Sequence, residues 1–290
     1  MKWKNRRTSS NVEDRRGMGR SSSGGGIGGI GGKGMMGGGL GLIIFLILAF
    51  LGGDIGSMLN PGVVNPGTQA PYESTAEDDE LAQFVSVVLA DTEDVWAQIF
   101  RDNGRTYQEP ELVLFNDRVE SACGVAGSST GPFYCPADRK IYIDLSFYRE
   151  LGQRFGAPGD FAMAYVVAHE VGHHVQTLLG ISQQVQDLRG KLSEAEFNTY
   201  LVRLELQADY LAGVFANYVH GEGYLEEGDL EEAINAANAI GDDRLQKQAQ
   251  GYVVPDSFTH GTSEQRMRWF KRGFEYGDLQ HGDTFNTNDL

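Results

Sequence analysis

Residues 160–180 read Asp160-Phe-Ala-Met-Ala-Tyr-Val-Val-Ala-His-Glu-Val-Gly-His-His-Val-Gln-Thr-Leu-Leu-Gly180, and this stretch decides the fold. Apolar side chains dominate it, among them Phe161, Met163, Ala164, Val166 and Val167. This pattern predicts a buried helix from Phe161 to about Leu179. Asp160 is a suitable N-cap for the helix, and Gly180 gives a stop signal at its end.

Three side chains in this helix form the motif His-Glu-x-x-His. His169 and His173 are four residues apart, so both imidazoles lie on one helix face and can bind one metal ion. Glu170 projects from an adjacent direction, within reach of a water held by that metal. In zinc hydrolases with this motif, the metal lowers the pKa of its water to about 7 and the glutamate takes the proton. The motif predicts one Zn²⁺ per chain, with Glu170 as general base.

A second helix supplies the remaining candidates. Ser193-Glu-Ala-Glu196 is a capping box and predicts a helix that ends near Gly221. Zinc bound by two histidines needs a third protein ligand and keeps its fourth position open for water. Glu205 is the candidate third ligand. Asp209, four residues later on the same face, is positioned to accept a hydrogen bond from the free ring nitrogen of a ligand histidine.

Hydrolysis through a tetrahedral intermediate also needs a second electrophile beside the metal. His260 is the best available donor, because it lies in a loop just before a predicted helix with its own cap. His174 is next to a ligand but points off the metal face. We therefore expect His174 to have a structural role.

The body of the chain reads as one domain, residues 78–276, of mostly helical α+β class with a small sheet. Two strands are predicted at residues 111–115 and 140–145, and the second is a candidate for holding an extended peptide by strand addition. Apolar periodicity predicts further helices at residues 80–101, 230–240 and 262–274. Residues 277–290 are expected to form a loose polar tail.

Charge and hydropathy divide the N-terminal region from this body. Residues 1–33 carry eight Lys/Arg and two acids, a net charge of +6, whereas the other 257 residues carry 16 Lys/Arg and 38 acids, a net charge of −22. A body with such an excess of acidic residues would repel the phosphates of a nucleic acid, so the sequence excludes a nucleic-acid-binding protein. Residues 34–53 are uncharged and predict a transmembrane anchor, followed by a flexible Pro/Gly-rich linker at 54–77. The positive-inside rule makes residues 1–33 a cytoplasmic, basic, Gly-rich tail.

Two cysteines complete the motifs. With the body outside the cytoplasm, Cys123 and Cys135 are expected to form a disulfide.

The combination of His169-Glu-Val-Gly-His173 with Glu205-x-x-x-Asp209 resembles the gluzincin branch of zinc peptidases. Through Phe274 the chain more closely resembles the neutral zinc metallopeptidases of the YpfJ type. The shared features include the start Met1-Lys-Trp-Lys-Asn-Arg-Arg, a glycine tract, a single anchor and an extracytoplasmic domain. The resemblance implies a zincin-like metallopeptidase domain in the bacterial inner membrane, with a cytoplasmic N-terminus and a periplasmic catalytic domain.

The stretch from Thr259 to Arg266 is similar to the His-Pro…Arg element of membrane gluzincins. In those proteins the histidine is near the substrate and the arginine supports the ligand carboxylate. The resemblance implies these roles for His260 and Arg266, although Gly261 stands where those proteins have proline.

Three functional hypotheses remain after the sequence analysis. The first is a membrane-anchored zinc endopeptidase acting on a peptide or protein substrate, with the lipid bilayer as its other partner. The second is a non-catalytic zinc-binding scaffold protein of the envelope, and the third is a zinc amidase acting on cell-wall peptides. An intact Glu170 favours an enzyme, because a structural zinc site needs ligands but no general base.

Overall fold

A computed structural model describes residues 1–18 and 74–290 of the chain. This part is a mostly helical α+β protein with two small sheets. The strands are β1 (Val12–Asp14), β2 (Glu111–Phe115), β3 (Arg118–Ser121), β4 (Gly124–Gly127), β5 (Phe133–Cys135) and β6 (Lys140–Asp144). The helices are α1 (Ala76–Asp102), α2 (Ser146–Gln153), α3 (Asp160–Leu178), α4 (Ile181–Gln186), α5 (Glu194–Gly221), α6 (Asp229–Ala239), α7 (Asp242–Gln250) and α8 (Ser263–Tyr276).

The larger sheet has the strand order β1-β2-β6-β5. β2 is parallel to both β1 and β6, and β5 pairs antiparallel with β6 at the edge. Both faces of the central strands are covered, because alternate side chains enter different hydrophobic clusters. Leu112 and Ile141 join the main core against the helices, whereas Val113 and Tyr142 pack under the β3–β4 hairpin.

Helix α3 is buried on nearly all sides, which explains its continuous apolar sequence. It packs against α1, α5 and α6. At Gly172, a Cβ atom would lie 3.1 Å from the carbonyl oxygen of Ala208 on α5. The missing side chain therefore allows α3 and α5 to approach closely at the level of the two motif histidines.

The predicted helices and both predicted strands are present, with ends shifted by a few residues. The proposed use of residues 140–145 for strand addition is wrong, because β6 is paired on both sides, with β2 and β5. Its edges are therefore already satisfied. β5 is the strand at the edge of the sheet on this side.

Residues 1–18 are not a separate tail, so that part of the prediction for residues 1–33 is wrong. β1 is a strand of the main sheet, and Met1 and Trp3 enter the main core. The expected loose tail at 277–290 is also wrong, since it packs along α5. There, Thr284 is fully buried and its hydroxyl donates to the carbonyl of Arg203 at 2.6 Å.

The predicted anchor at residues 34–53 and most of the predicted linker at 54–77 lie outside the described residues. Helix α1 already begins at Ala76. Within residues 1–18 and 74–290, no helix is both long and apolar enough to cross a membrane. The predicted disulfide is confirmed, and Cys123–Cys135 joins the turn between β3 and β4 to the edge strand β5.

Candidate metal centre

The three predicted ligands come together at the contact between α3 and α5. His169 Nε2 lies 3.2 Å from one carboxylate oxygen of Glu205, and His173 Nε2 lies 3.5 Å from the other. One ligand atom from each residue lies within 4.8 Å of the others, and all three side chains are buried. The i, i+4 spacing on α3 and the close approach at Gly172 together create this cluster.

The second nitrogen of each imidazole has a partner that fixes the ring. His169 Nδ1 lies 2.9 Å from Asp209, and His173 Nδ1 lies 2.9 Å from the side-chain oxygen of Gln176. Gln176 is itself held, because its amide donates to the carbonyl of Leu204 at 2.7 Å. With Nδ1–H donating to these oxygens, both Nε2 atoms are directed at the cluster, where each can bind a metal once it is deprotonated.

Asp209 is the centre of a fully buried network. Arg266 donates to its two carboxylate oxygens from Nε at 2.8 Å and Nη2 at 3.0 Å. The Tyr165 hydroxyl donates to the same carboxylate at 2.5 Å. The resemblance implied that Arg266 supports the ligand carboxylate; in this structure it binds Asp209, which in turn holds His169.

Charge and burial oppose each other throughout the cluster. Burial raises the pKa of Glu205, but the neighbouring histidines outweigh it and hold that pKa well below its usual range. Burial also raises the pKa of Asp209, but the positive charges of Arg266 and His169 outweigh that effect and lower the pKa to about 2. Burial lowers the pKa of His169, yet Asp209 and Glu205 raise it to about 9. The carboxylates therefore make this a strong site for a cation, which a proton occupies when no metal competes.

Glu170 lies beside the three candidate ligands but is not one of them. It is 5% exposed, and burial raises its pKa, while the nearby histidines oppose that rise. The backbone of Tyr134 on β5 also opposes the rise of this pKa. A carboxylate with a raised pKa is a better base at neutral pH than an ordinary glutamate.

His260 lines the same cavity as the ligands and Glu170. Its Nδ1 lies 3.2 Å from Asp242, the first residue of α7. The other oxygen of Asp242 accepts the backbone N–H groups of Thr259 at 2.7 Å, His260 at 2.7 Å and Gly261 at 3.1 Å. Asp242 therefore fixes both the loop and the ring.

The three candidate ligands and Glu170 line a cavity of about 90 Å³ that is partly open to solvent. Apolar side chains from several separate elements line its wall: Phe133, Phe147, Phe155, Val166, Ile240 and Leu245. The cavity thus combines a few convergent polar groups with apolar walls, as small-molecule and peptide sites do.

The donor set fits zinc. Two imidazole nitrogens and one carboxylate are the ligand set of several catalytic zinc sites, which keep one position open. His169, His173 and Glu205 line the same cavity as Glu170, so a water on a metal held there would have room beside the base. The fixed tautomers of His169 and His173 meet the additional requirement that metal-bound histidines donate their other N–H to a protein acceptor.

Sequence reasoning missed Tyr165, Gln176 and Asp242. Tyr165 is four residues before His169 and Gln176 is three after His173, so helical spacing alone would have placed both beside the ligands. Asp242 had a weaker signal, an acidic pair after Gly241 at a helix start. His174 is structural as expected, bonded to the Tyr134 hydroxyl and the Gln108 carbonyl.

Comparison with known proteins gives the family of the chain. A family model described as "Putative neutral zinc metallopeptidase" matches residues 1–285. Protein YpfJ of Escherichia coli K12 is 51% identical over 98% of this chain and 99% of its own length. Protein Mb2605 of Mycobacterium bovis is 44% identical over 63% of this chain and 65% of its own length. No solved structure gives a significant match. The chain therefore belongs to the neutral zinc metallopeptidase family.

Proposed function

We propose that the protein is a zinc-dependent peptidase of gluzincin type that hydrolyses peptide bonds in a peptide or protein substrate. The observation that carries this proposal is Glu170, a buried carboxylate with a raised pKa that adjoins the three candidate ligands. A zinc site that only stabilised the fold would need His169, His173 and Glu205 but not this fourth group.

The chemistry assigned to the chain follows from these positions. A bound zinc ion supplies Lewis acidity to a water molecule and to the scissile carbonyl. Glu170 accepts the proton of the attacking water and then delivers it to the leaving amine. His260, held by Asp242, donates a hydrogen bond to the carbonyl oxygen as negative charge develops there.

The edge strand β5 gives the substrate a place to bind. Phe133 and Tyr134 of this strand line the cavity, and the strand has β6 on one side and lies at the sheet edge on the other. An extended peptide added to β5 would pass over the metal cluster, with backbone hydrogen bonds supplying affinity and the apolar wall accepting side chains. We therefore propose β5, instead of β6, as the strand to which the substrate binds.

The test compares two substitutions in the zinc-reconstituted full chain, with a peptide library that includes cell-wall peptides as substrate. We expect Glu170→Gln to keep zinc and lose cleavage, and Glu205→Ala to lose zinc. Cleavage by Glu170→Gln at the wild-type rate would refute the mechanism. Zinc binding without any hydrolysis by the wild type would favour the scaffold hypothesis, and cleavage confined to cell-wall peptides would favour an amidase.

The location of the protein is part of the proposal. The Cys123–Cys135 disulfide favours a compartment outside the cytoplasm, because cytoplasmic thiols are kept reduced. The apolar run at residues 40–51 favours association with the inner membrane. Fractionation of cells under non-reducing conditions, with mass spectrometry of the disulfide, tests both statements.

A further inference from the structure

The first eighteen residues are built into the body of the protein. Val12–Asp14 forms strand β1 and lies in parallel register with Leu112–Leu114 of β2. Trp3 is buried and its ring packs edge-on against Phe84 of α1, with ring centroids 5.6 Å apart. The segment Met1–Met18 is therefore both a strand of the main sheet and part of the main core.

Two buried carboxylates on α1 take partners from this segment. Glu93 is 3% exposed, and Asp91 is 7% exposed. Asp91 pairs with Arg6, and Glu93 accepts hydrogen bonds from the side chains of Arg7, Ser9 and Asn11. Removing the segment would take these partners away and would uncover the part of the main core that Met1 and Trp3 cover, so the rest of the domain would lose stability.

A third anchor joins the segment to the active-site helix. The α-ammonium of Met1 lies 2.7 Å from Asp160, the first residue of α3, and 3.3 Å from Asp229 on α6. Asp160, Asp229 and Glu232 are close enough to one another to hold a cation. The α-ammonium is the cation that the structure places at this acidic cluster.

We propose that Met1–Met18 is a permanent part of the catalytic domain and lies on the same side of any membrane as residues 74–290. A single crossing by residues 34–53 would separate the two by a hydrocarbon layer about 30 Å thick. The strand pairing, the buried ion pairs and the Met1 contacts could not form across it. The orientation with a cytoplasmic N-terminus and a periplasmic domain is incompatible with this fold.

The charges that predicted that orientation have a different explanation. The positive-inside rule concerns basic residues in loops that stay on the cytoplasmic side. In this structure four basic residues of the segment pair with acids of the body: Lys4, Arg6, Arg7 and Arg16. Examples are Lys4 with Glu80 at 2.8 Å, Arg7 with Asp94 at 2.9 Å, and Arg16 with Asp79 at 3.1 Å. The basic start and the acidic body are therefore complementary surfaces of one folded unit.

Cysteine labelling in cells tests the proposal. Both native cysteines are joined in the disulfide, so a single introduced cysteine reports on its own position. Ser10→Cys and Lys271→Cys replace exposed residues, one in the segment and one on α8. Intact cells expressing either full-length variant are treated with a membrane-impermeant maleimide, before and after permeabilisation. We expect both positions to show the same pattern.

Labelling of one position in intact cells and of the other only after permeabilisation would overturn the proposal. Protection of both positions in intact cells would still support it, and would instead contradict the location outside the cytoplasm. The labelling result does not depend on zinc binding or on peptidase activity. The proposal for Met1–Met18 therefore stands even if the proposed function fails.

A second experiment tests the docking directly. A site-specific protease sequence is inserted after residue 54 of the full chain, and the purified protein is cut in detergent. We expect the N-terminal fragment to remain bound until denaturant is added. The Arg7→Ala/Asn11→Ala double variant should release it, and Lys4→Ala, which breaks an exposed pair, should retain it. Release of the wild-type fragment under native conditions would refute the proposal.

Discussion

Replacement of Arg266 by methionine should destabilise the protein strongly. Arg266 is 2% exposed and Asp209 is fully buried, and two hydrogen bonds of 2.8 and 3.0 Å join them. Methionine keeps most of the side-chain volume but removes the charge, so Asp209 stays buried without its cationic partner. Breaking a buried pair on one side lowers the free energy of unfolding by about 3–5 kcal/mol. For a domain of this size that is a fall in Tm of roughly 6–20 °C.

The assay is urea unfolding followed by circular dichroism, with EDTA present so that zinc release does not contribute. Arg268→Met on the same helix is the matched control, since Arg268 pairs with Glu264 and Asp289 in solvent. Such exposed pairs contribute about 1 kcal/mol or less. The reasoning is refuted if the free energies of unfolding of Arg266→Met and Arg268→Met differ by less than about 1 kcal/mol, which is about the contribution of such a surface pair.

Three further predictions concern other parts of the site. Gly172→Val should weaken zinc affinity by about tenfold or more in a competition titration, because the new side chain pushes α3 away from Ala208; unchanged affinity would contradict the close-approach argument. Asp242→Asn should lower kcat by about tenfold with zinc content unchanged, because His260 loses its charged partner; an unchanged kcat would remove Asp242 from the mechanism. Burial lowers the pKa of His174 to about 4, so its stabilising contribution is complete above the unfolded pKa of about 6.5 and is lost as pH falls towards 4. That contribution is about 3 kcal/mol. Between pH 7 and pH 4, the free energy of unfolding of His174→Gln should therefore fall less steeply than that of the wild type. Parallel falls in the two proteins would contradict this prediction.

The ligand set could be predicted from sequence because helical spacing fixes which side chains share a face. His169 and His173 are one turn apart on α3, and Glu205 and Asp209 are one turn apart on α5. The capping box at Ser193 located the start of α5 as well. These signals are local, because a few neighbouring residues are enough to recognise each one.

The pairing between elements could not be predicted in the same way. Nothing local to Arg266 distinguishes Asp209 from Glu205 as its partner, since the choice depends on how α8 packs along α5. β5 has three residues and was not predicted, although it carries the edge position beside the metal cluster. Short strands lack the length over which alternation becomes visible.

The N-terminal segment shows why counting charges does not by itself determine membrane topology. A cluster of basic residues has the same composition whether it flanks a membrane or pairs with buried acids. Glu93 and Asp91 lie in a predicted helix, and only the folded structure places Arg6 and Arg7 against them. Among the described residues, Lys4, Arg6, Arg7 and Arg16 pair with acids of the body, so part of the positive charge at the N-terminus is complementary to acids of the same domain.

Metal analysis tests most directly the claim that His169, His173 and Glu205 bind zinc. The full chain is reconstituted with zinc, desalted and analysed by mass spectrometry for metal per chain. We predict about one zinc in the wild type and in Glu194→Ala, which removes an exposed acid of α5, because three protein ligands define a single site. Glu205→Ala and His173→Ala should retain almost none. A wild type that holds no zinc, or a Glu205→Ala variant that holds as much as wild type, would contradict the assignment.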